Sequence, residues 1–169
     1  MTRTLVTYAS KRGSTQEVAA AIAASLRAAG HDVDLLSAEA AAVAGPDGYD
    51  SVVIGGSLYV GRWHADACRF VRRHHAALDR LPLAVFALGP RTLEAEDVAG
   101  SRKQLAGALK RLGIAPRLVT VFGGAVDPAK LHFPFNRMPE SDVRDWQAID
   151  AWAAEVGSMI SEEAAVLVP

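Results

Sequence analysis

Thr4-Leu5-Val6-Thr7-Tyr8-Ala9-Ser10-Lys11-Arg12-Gly13-Ser14-Thr15 opens with a β-type apolar run and closes in a turn rich in hydroxyls and glycine. From about Gln16 an amphipathic helix follows, with Val18, Ile22, Leu26 and Ala29 at helical spacing and Gly30 as its stop. Such a turn between a first strand and a first helix suits a phosphate. The first N–H groups of the helix have no partner within it, and its dipole favours an anion there. Gly13 lets backbone come close, Ser10, Ser14 and Thr15 add hydroxyls, and Lys11 and Arg12 add positive charge. The same residues also fit a plain capped helix, with Ser14 or Thr15 as N-cap, and the turn alone does not separate the two readings.

The remaining chain repeats the strand–helix alternation. Asp32 to Leu36 reads as a half-buried second strand, the alanine-rich stretch 38–44 as a short helix, and Gly45-Pro46-Asp47-Gly48 as a turn. Ser51 to Gly56 is apolar without alternation, the pattern of a strand covered on both faces. A loop, Ser57 to His64, leads to a helix over Ala65–Leu78. Leu83 to Leu88 and Arg117 to Phe122 are the fourth and fifth strands, separated by a helix over Val98–Leu112. Ala125 to Glu140 is irregular, with prolines at 128, 134 and 139. A last helix starts at the capping signal Ser141-Asp142 and runs to about Ser161, with Trp146, Ile149, Ala153, Val156 and Ile160 on its inner stripe and a frayed tail beyond. This pattern predicts an α/β fold: a doubly wound, five-stranded parallel sheet of order 2-1-3-4-5, helices on both faces, one domain over residues 1–169.

Composition narrows the function. Half of the 169 residues are hydrophobic and the net charge is −1, which argues against disorder and against bulk attraction to nucleic acid. A single cysteine, Cys68, rules out an internal disulfide framework. The N-terminus has no signal-type apolar segment and no apolar run reaches membrane-span length, so a cytoplasmic location is expected.

In a sheet of this order, ligands sit beyond the strand C-termini, at the switch point between the first and third strands. That places three loops together: Ser10–Thr15, Ser57–His64 and Gly89–Glu94. The second is apolar and aromatic where a turn is ordinarily polar. Tyr59 offers a ring for a planar ligand and Gly61 offers close approach, while Trp63 reads better as cover for the sheet. Gly89-Pro90-Arg91-Thr92 supplies backbone donors and one guanidinium. A phosphate slot beside a flat apolar slot describes a mononucleotide with a large ring.

The stretch Tyr8 to Thr15 resembles the phosphate-loop signature of the flavodoxin-like family. Gly56-Ser57-Leu58-Tyr59-Val60-Gly61-Arg62-Trp63-His64, then Phe70 to His74 and Val121 to Ala125, resemble the flavodoxin-domain branch related to menaquinone-dependent protoporphyrinogen oxidase. The resemblance implies FMN, its phosphate on Ser10, Lys11, Arg12, Gly13, Ser14 and Thr15. The ring would lie against Leu58, Tyr59, Val60 and Gly61 and against Leu88, Gly89, Pro90 and Arg91, with Gly124 and Ala125 nearby. It implies an FMN-dependent oxidoreductase or electron-transfer flavoprotein that works with a redox partner protein, a quinone or a small-molecule substrate, with peripheral membrane contact as an option. The alternative is a binding or regulatory module on this fold that has lost the flavin. Common electron-shuttle members are strongly acidic, whereas this chain is near neutral, and its segment after the fifth strand is shorter than in the oxidase branch.

No acid–base pair is demanded by such chemistry. Arg62 and His64 are the nearest ionisable candidates, and Leu131, Phe133, Phe135 and Met138 make the segment after the fifth strand apolar enough for a lid or docking surface. No metal site is expected: His74 and His75 are adjacent and do not share a helix face. Cys68 reads as a small buried thiol. The strand ends Tyr8-Ala9-Ser10 and Gly55-Gly56-Ser57 lack the carboxylates a phosphoacceptor domain needs.

Overall fold

The apolar runs become strands in a computed structural model that describes residues 1–166. In chain order the strands are β1 (Arg3–Ala9), β2 (Asp32–Ser37), β3 (Ser51–Tyr59), β4 (Arg62–Trp63), β5 (Leu83–Leu88), β6 (Leu118–Phe122), β7 (Ala125–Val126) and β8 (Ser141–Asp142). The helices are α1 (Ser14–Ala28), α2 (Ala38–Ala44), α3 (Ala65–Arg73), α4 (His75–Leu78), α5 (Ala95–Leu112) and α6 (Trp146–Val166). Five long strands run parallel in the order β2-β1-β3-β5-β6, which is the expected 2-1-3-4-5 arrangement. Pairing of Ala9 with Gly56, Ser57 with Leu88, and Leu88 with Phe122 brings the C-termini of β1, β3, β5 and β6 to one level.

Alternation along each strand divides the core between the two faces. Leu5, Val52, Ile54, Val85 and Ala87 point toward α2, α3 and α5, where Phe70 and Leu105 meet them. Val6, Val53, Ala84 and Phe86 point the other way, onto Ile22 of α1 and Ile149, Trp152 and Val156 of α6. Gly55 and Gly56 sit where this alternation meets two large rings. A methyl on Gly55 would overlap the Phe86 ring, and one on Gly56 would stand 2.5 Å from Trp63 Nε1.

Several boundaries differ from those expected. Helix α1 begins at Ser14, two residues early, because Gly13 at φ +93° makes the turn. The third strand runs on to Tyr59 and folds back as an antiparallel pair with β4, so Ser57–His64 is mostly a hairpin and not a loop. The helix expected over Ala65–Leu78 is interrupted at His74, whose Nε2–H donates to Ala42 O at 2.9 Å. Helix α5 starts at Ala95 instead of Val98.

Ser141 and Asp142 do not cap the last helix. They pair with β7, and Asp145 Oδ1 caps α6 by accepting from the N–H of Gln147 and of Ala148, each at 3.1 Å. Trp146 is consequently off the inner stripe and exposed, while Trp152 packs edge-on against Phe86 and Phe122. The expected frayed tail is helical to Val166, and residues 167–169 lie outside the described residues. Among the described residues no helix is long and apolar enough to cross a membrane.

Candidate functional site at the carboxyl edge of the sheet

The turn from β1 into α1 is built to leave backbone donors free. Gly13 is in the left-handed region, no side chain caps α1, and the first internal bond runs from Glu17 N to Gly13 O at 3.0 Å. The capped-helix reading of Ser14 and Thr15 therefore does not hold. The N–H groups of Ser14, Thr15 and Gln16 have no acceptor among the described residues. The Ser10 hydroxyl accepts from Gly13 N at 2.9 Å, which tightens the loop around itself. Thr15 is fully buried, yet its hydroxyl has no hydrogen-bond partner among the described residues. A buried hydroxyl without a partner is costly, and here it stands in the first helical turn, beside unpaired amides that favour an anion.

The β3–β4 hairpin turns at Val60 and Gly61, with φ +48° and +72°. Positive φ at both central residues is the type I′ geometry that matches strand twist. For β-branched Val60 that backbone is strained, and its side chain is almost wholly exposed. Tyr59 beside it lies under Lys11 Nζ (5.8 Å) and Arg12 Cζ (6.0 Å), so the hairpin and the first loop meet through cation–π contacts. Trp63 turns inward and its Nε1–H donates to Gly56 O at 3.2 Å, covering the sheet as expected.

His64 has a structural task. Its Nδ1 accepts from Asp66 N at 3.1 Å and caps α3. That leaves the proton on Nε2, which is buried and unpartnered. Burial pushes its pKa below the usual 6.5; Asp66 opposes this, and Lys11 and Arg69 reinforce it. The folded chain thus resists a proton that the unfolded chain accepts near pH 6.5, so this stability is full above that pH and declines as pH falls toward the folded value. In His64→Asn, which retains a capping oxygen, the difference in urea midpoint between pH 7.5 and 5.5 is expected to shrink. An unchanged difference would assign the acid sensitivity elsewhere.

The third loop and the turn after β6 interlock. Gly89 N donates to Phe122 O (3.1 Å), Gly124 N to Pro90 O (2.9 Å) and Val143 N to Gly124 O (3.1 Å). A methyl on Gly89 would stand 2.8 Å from Leu58 Cδ1, and one on Gly124 would stand 3.4 Å from Gly89 O. The glycines let backbone from three strands converge. Of the residues expected along the ring slot, Tyr59, Val60, Gly61 and Arg91 are exposed, while Gly89, Gly124 and Ala125 are half-buried. Leu58 is half-buried against the core, Pro90 is buried, and the Leu88 side chain belongs to the face toward α1 and α6.

Arg144 was not among the expected site residues. Its guanidinium grips both oxygens of Asp142 (2.9 and 2.7 Å), Glu17 Oε2 (2.6 Å) and Ser14 O (3.4 Å). These bonds hold its pKa above the ordinary arginine value and draw Asp142 below its own. The side chain is only 10% exposed. Nothing local marks it, because its partners on α1 lie 127 and 130 residues away in sequence. Lys130 Nζ donates to Arg12 O at 3.3 Å, a second strut from the same segment to the first loop.

Other candidates stand apart. His75 Nε2–H donates to Gly113 O, away from these loops. Cys68 is half-buried, its Sγ 3.8 Å from Trp63 O, and burial raises its pKa. Among the described residues no group of three or more His, Cys, Asp or Glu is placed to hold a metal.

Residues 5–138 match the family described as flavodoxin domain. The chain belongs to the flavodoxin-domain family. This flavodoxin domain is 29% identical over 86 residues to protoporphyrinogen IX dehydrogenase (quinone) of Escherichia coli K12, a match covering 51% of this chain and 48% of that protein. The matched stretch thus spans about half the length of that relative. A cysteine mutant of flavodoxin from Pseudomonas aeruginosa superposes with a TM-score of 0.61 at 20% identity, covering 94% of this chain and 99% of that one. Rubredoxin oxygen:oxidoreductase from Desulfovibrio gigas superposes with a TM-score of 0.61 at 16% identity over 96% of this chain and 37% of that one. These two likenesses establish the fold. Family membership implies a flavin cofactor for this flavodoxin domain.

Proposed function

We propose that this flavodoxin domain holds FMN at the carboxyl edge of its sheet and serves as an electron-transfer oxidoreductase. The observation that carries the reading is the uncapped start of α1, with Gly13 left-handed and the buried Thr15 hydroxyl unpartnered, at the switch point between β1 and β3. These residues fit a phosphate dianion: free amides, a helix dipole and a hydroxyl that lacks a partner. Ser10, Lys11, Arg12, Gly13, Ser14 and Thr15 would hold the phosphate. Leu58, Tyr59, Val60 and Gly61, with the backbone of Leu88, Gly89, Pro90 and Arg91 and of Gly124 and Ala125, would border the ring. When bound, FMN supplies one- or two-electron chemistry; the chain supplies position and electrostatics.

The same reading extends to substrate class. The relative named protoporphyrinogen IX dehydrogenase (quinone) supports a quinone or a related small molecule as the partner in electron exchange, and that pair is the one to assay first. No side chain at this edge is placed as an acid or base: His64 is engaged as a helix cap, and Arg62 projects into solvent.

Two measurements test the reading. Protein incubated with excess FMN and desalted is expected to be yellow with flavin absorption. Colourless protein would leave the flavin-free module of the same fold as the correct reading. Ser14→Ala combined with Thr15→Ala is expected to weaken FMN binding on the order of 100-fold, about 3 kcal/mol for two charge-assisted hydrogen bonds, with the circular dichroism spectrum unchanged. Equal affinity in the titration would remove the phosphate assignment.

A further inference from the structure

The parallel sheet has two outer strands, β2 and β6, and they are built differently. At the β2 edge, Asp32 and Asp34 place charges in the strand and Arg3 bridges both. The Arg27 guanidinium also donates to Val33 O, from Nε at 3.2 Å and from Nη2 at 2.7 Å. Charged side chains and covered backbone groups keep an edge from pairing with another chain. Among the described residues β6 has no such guard. Leu118-Val119-Thr120-Val121-Phe122 contains no charge, proline or glycine, and β5 is the one strand beside it. Its β-branched and aromatic residues favour strand pairing, and Val119 is 41% exposed.

The open side of β6 is the floor of a groove of about 460 Å³, with Arg102 of α5 on one side and Ala148, Ala151 and Glu155 of α6 on the other. Ala148 and Ala151 are exposed and small, which leaves room along the strand. The two walls differ in charge. Helix α5 carries Arg102, Lys103, Lys110 and Arg111 against Glu96 and Asp97 in its first turn. Helix α6 carries Asp150, Glu155, Glu162 and Glu163 and no cation. Arg102 and Glu155, the charged residues that line the groove, are exposed and have no ion-pair partner among the described residues.

We propose that this groove takes an extended segment of another protein as a further strand beside β6, with adjacent acidic and basic residues at its centre. Successive side chains of a strand point to opposite faces. A Glu-Lys pair therefore sends its carboxylate toward Arg102 and its ammonium toward Glu155. In this mode main-chain hydrogen bonds supply affinity, and the side chains on either face select the sequence. A second copy of the chain fits worse. The two-fold axis that pairs β6 with β6 runs them antiparallel and stands normal to the sheet, so each helix layer stays on its own side. Basic α5 would then lie along α5 of the other copy, and acidic α6 along α6. The groove uses none of the residues proposed to hold FMN.

The test uses the full chain and fluorescein-labelled octapeptides as probes, read by fluorescence anisotropy. Ser-Thr-Val-Glu-Lys-Val-Thr-Ser is expected to bind about tenfold more tightly than versions with Glu-Glu or Lys-Lys at the centre, each of which sets a like charge against one wall. In Arg102→Glu the order should change, with the Lys-Lys probe binding best. Two further versions of the first probe carry N-methyl groups on alternate residues, at odd or at even positions. One edge of an extended peptide meets β6, so one version should bind like the parent while the other weakens about tenfold or more. Failure of the first probe to bind, equal affinity for the three centres, an unchanged order in Arg102→Glu, or equal affinity of the two N-methylated versions would each overturn the proposal. So would elution of the chain as a dimer whose β6 amides are protected from hydrogen exchange, since a second copy would then fill the groove.

Discussion

Replacing Arg144 by methionine is expected to loosen the turn between β1 and α1 and destabilise the fold at once. The guanidinium ties β8 to the first turn of α1 through Asp142, Glu17 and the Ser14 carbonyl. Methionine keeps much of the buried stem's volume but leaves two carboxylates without their cation. Removing one partner of a buried pair costs roughly 3–5 kcal/mol. Here Asp142 and Glu17 are 48% and 58% exposed, so water recovers part of that, and about 2 kcal/mol is the expected loss. For a chain of this size that is a fall in Tm of about 5 °C.

The acid limb of the stability curve should change as well. Arg144 holds the Asp142 carboxyl below its ordinary 3.8. The stability this contributes is present above that pH and is lost as pH falls through the lower folded value. In Arg144→Met the loss between pH 5 and 3 should therefore be shallower than in the wild type. FMN affinity, measured by fluorescence quenching, should drop alongside. Arg144→Lys should restore little, because an ammonium cannot fork across both Asp142 oxygens. Wild-type Tm and an unaltered acid limb in the methionine variant would show that the clamp carries no energy.

Gly55→Ala is expected to be the most damaging single methyl in the sheet. Gly55 lies in β3 on the face where Phe86 crosses, and an added Cβ would overlap that ring. Phe86 has nowhere to retreat: it is fully buried, with Phe122 and Trp152 centroids 5.9 and 5.8 Å away. Overpacking in a close-packed core costs about 3 kcal/mol when rings and strands must both shift. Gly100→Ala is the control, since an added Cβ there meets nothing within 4 Å and sits in α5. It should leave stability unchanged or raise it slightly. Urea unfolding of both variants decides the matter, and equal midpoints for Gly55→Ala and wild type would refute the packing account.

Much of this architecture was readable from local pattern. The uniformly apolar runs 51–56 and 83–88 had to be strands covered on both faces, and Gly-rich ends on three of the strands pointed to the carboxyl edge of the sheet as the candidate site. Glycine in the turn after β1 and the hydroxyls around it marked that edge before any coordinates. The misread elements are those whose conformation depends on distant partners. Ser57–His64 read as a loop because it joins the apolar run 51–56 to the next helix, but Leu58 and Tyr59 find Trp63 and Arg62 across a two-residue turn at Val60 and Gly61. The capping signal at Ser141-Asp142 was locally plausible and lost to pairing with Ala125 and Val126.

Amino-acid order by itself thus determined the α/β class, the strand order and the tight glycine turn between β1 and α1, because hydrophobic period and turn chemistry act over a few residues. Tertiary structure alone decided why Gly55 and Gly56 must be glycine, which of Trp146 and Trp152 enters the core, and that Arg144 braces the turn at Ser14. Each of those depends on side chains brought together by strand pairing and helix packing, from seven residues apart for Gly56 and Trp63 to 130 for Ser14 and Arg144, contacts that no local pattern specifies.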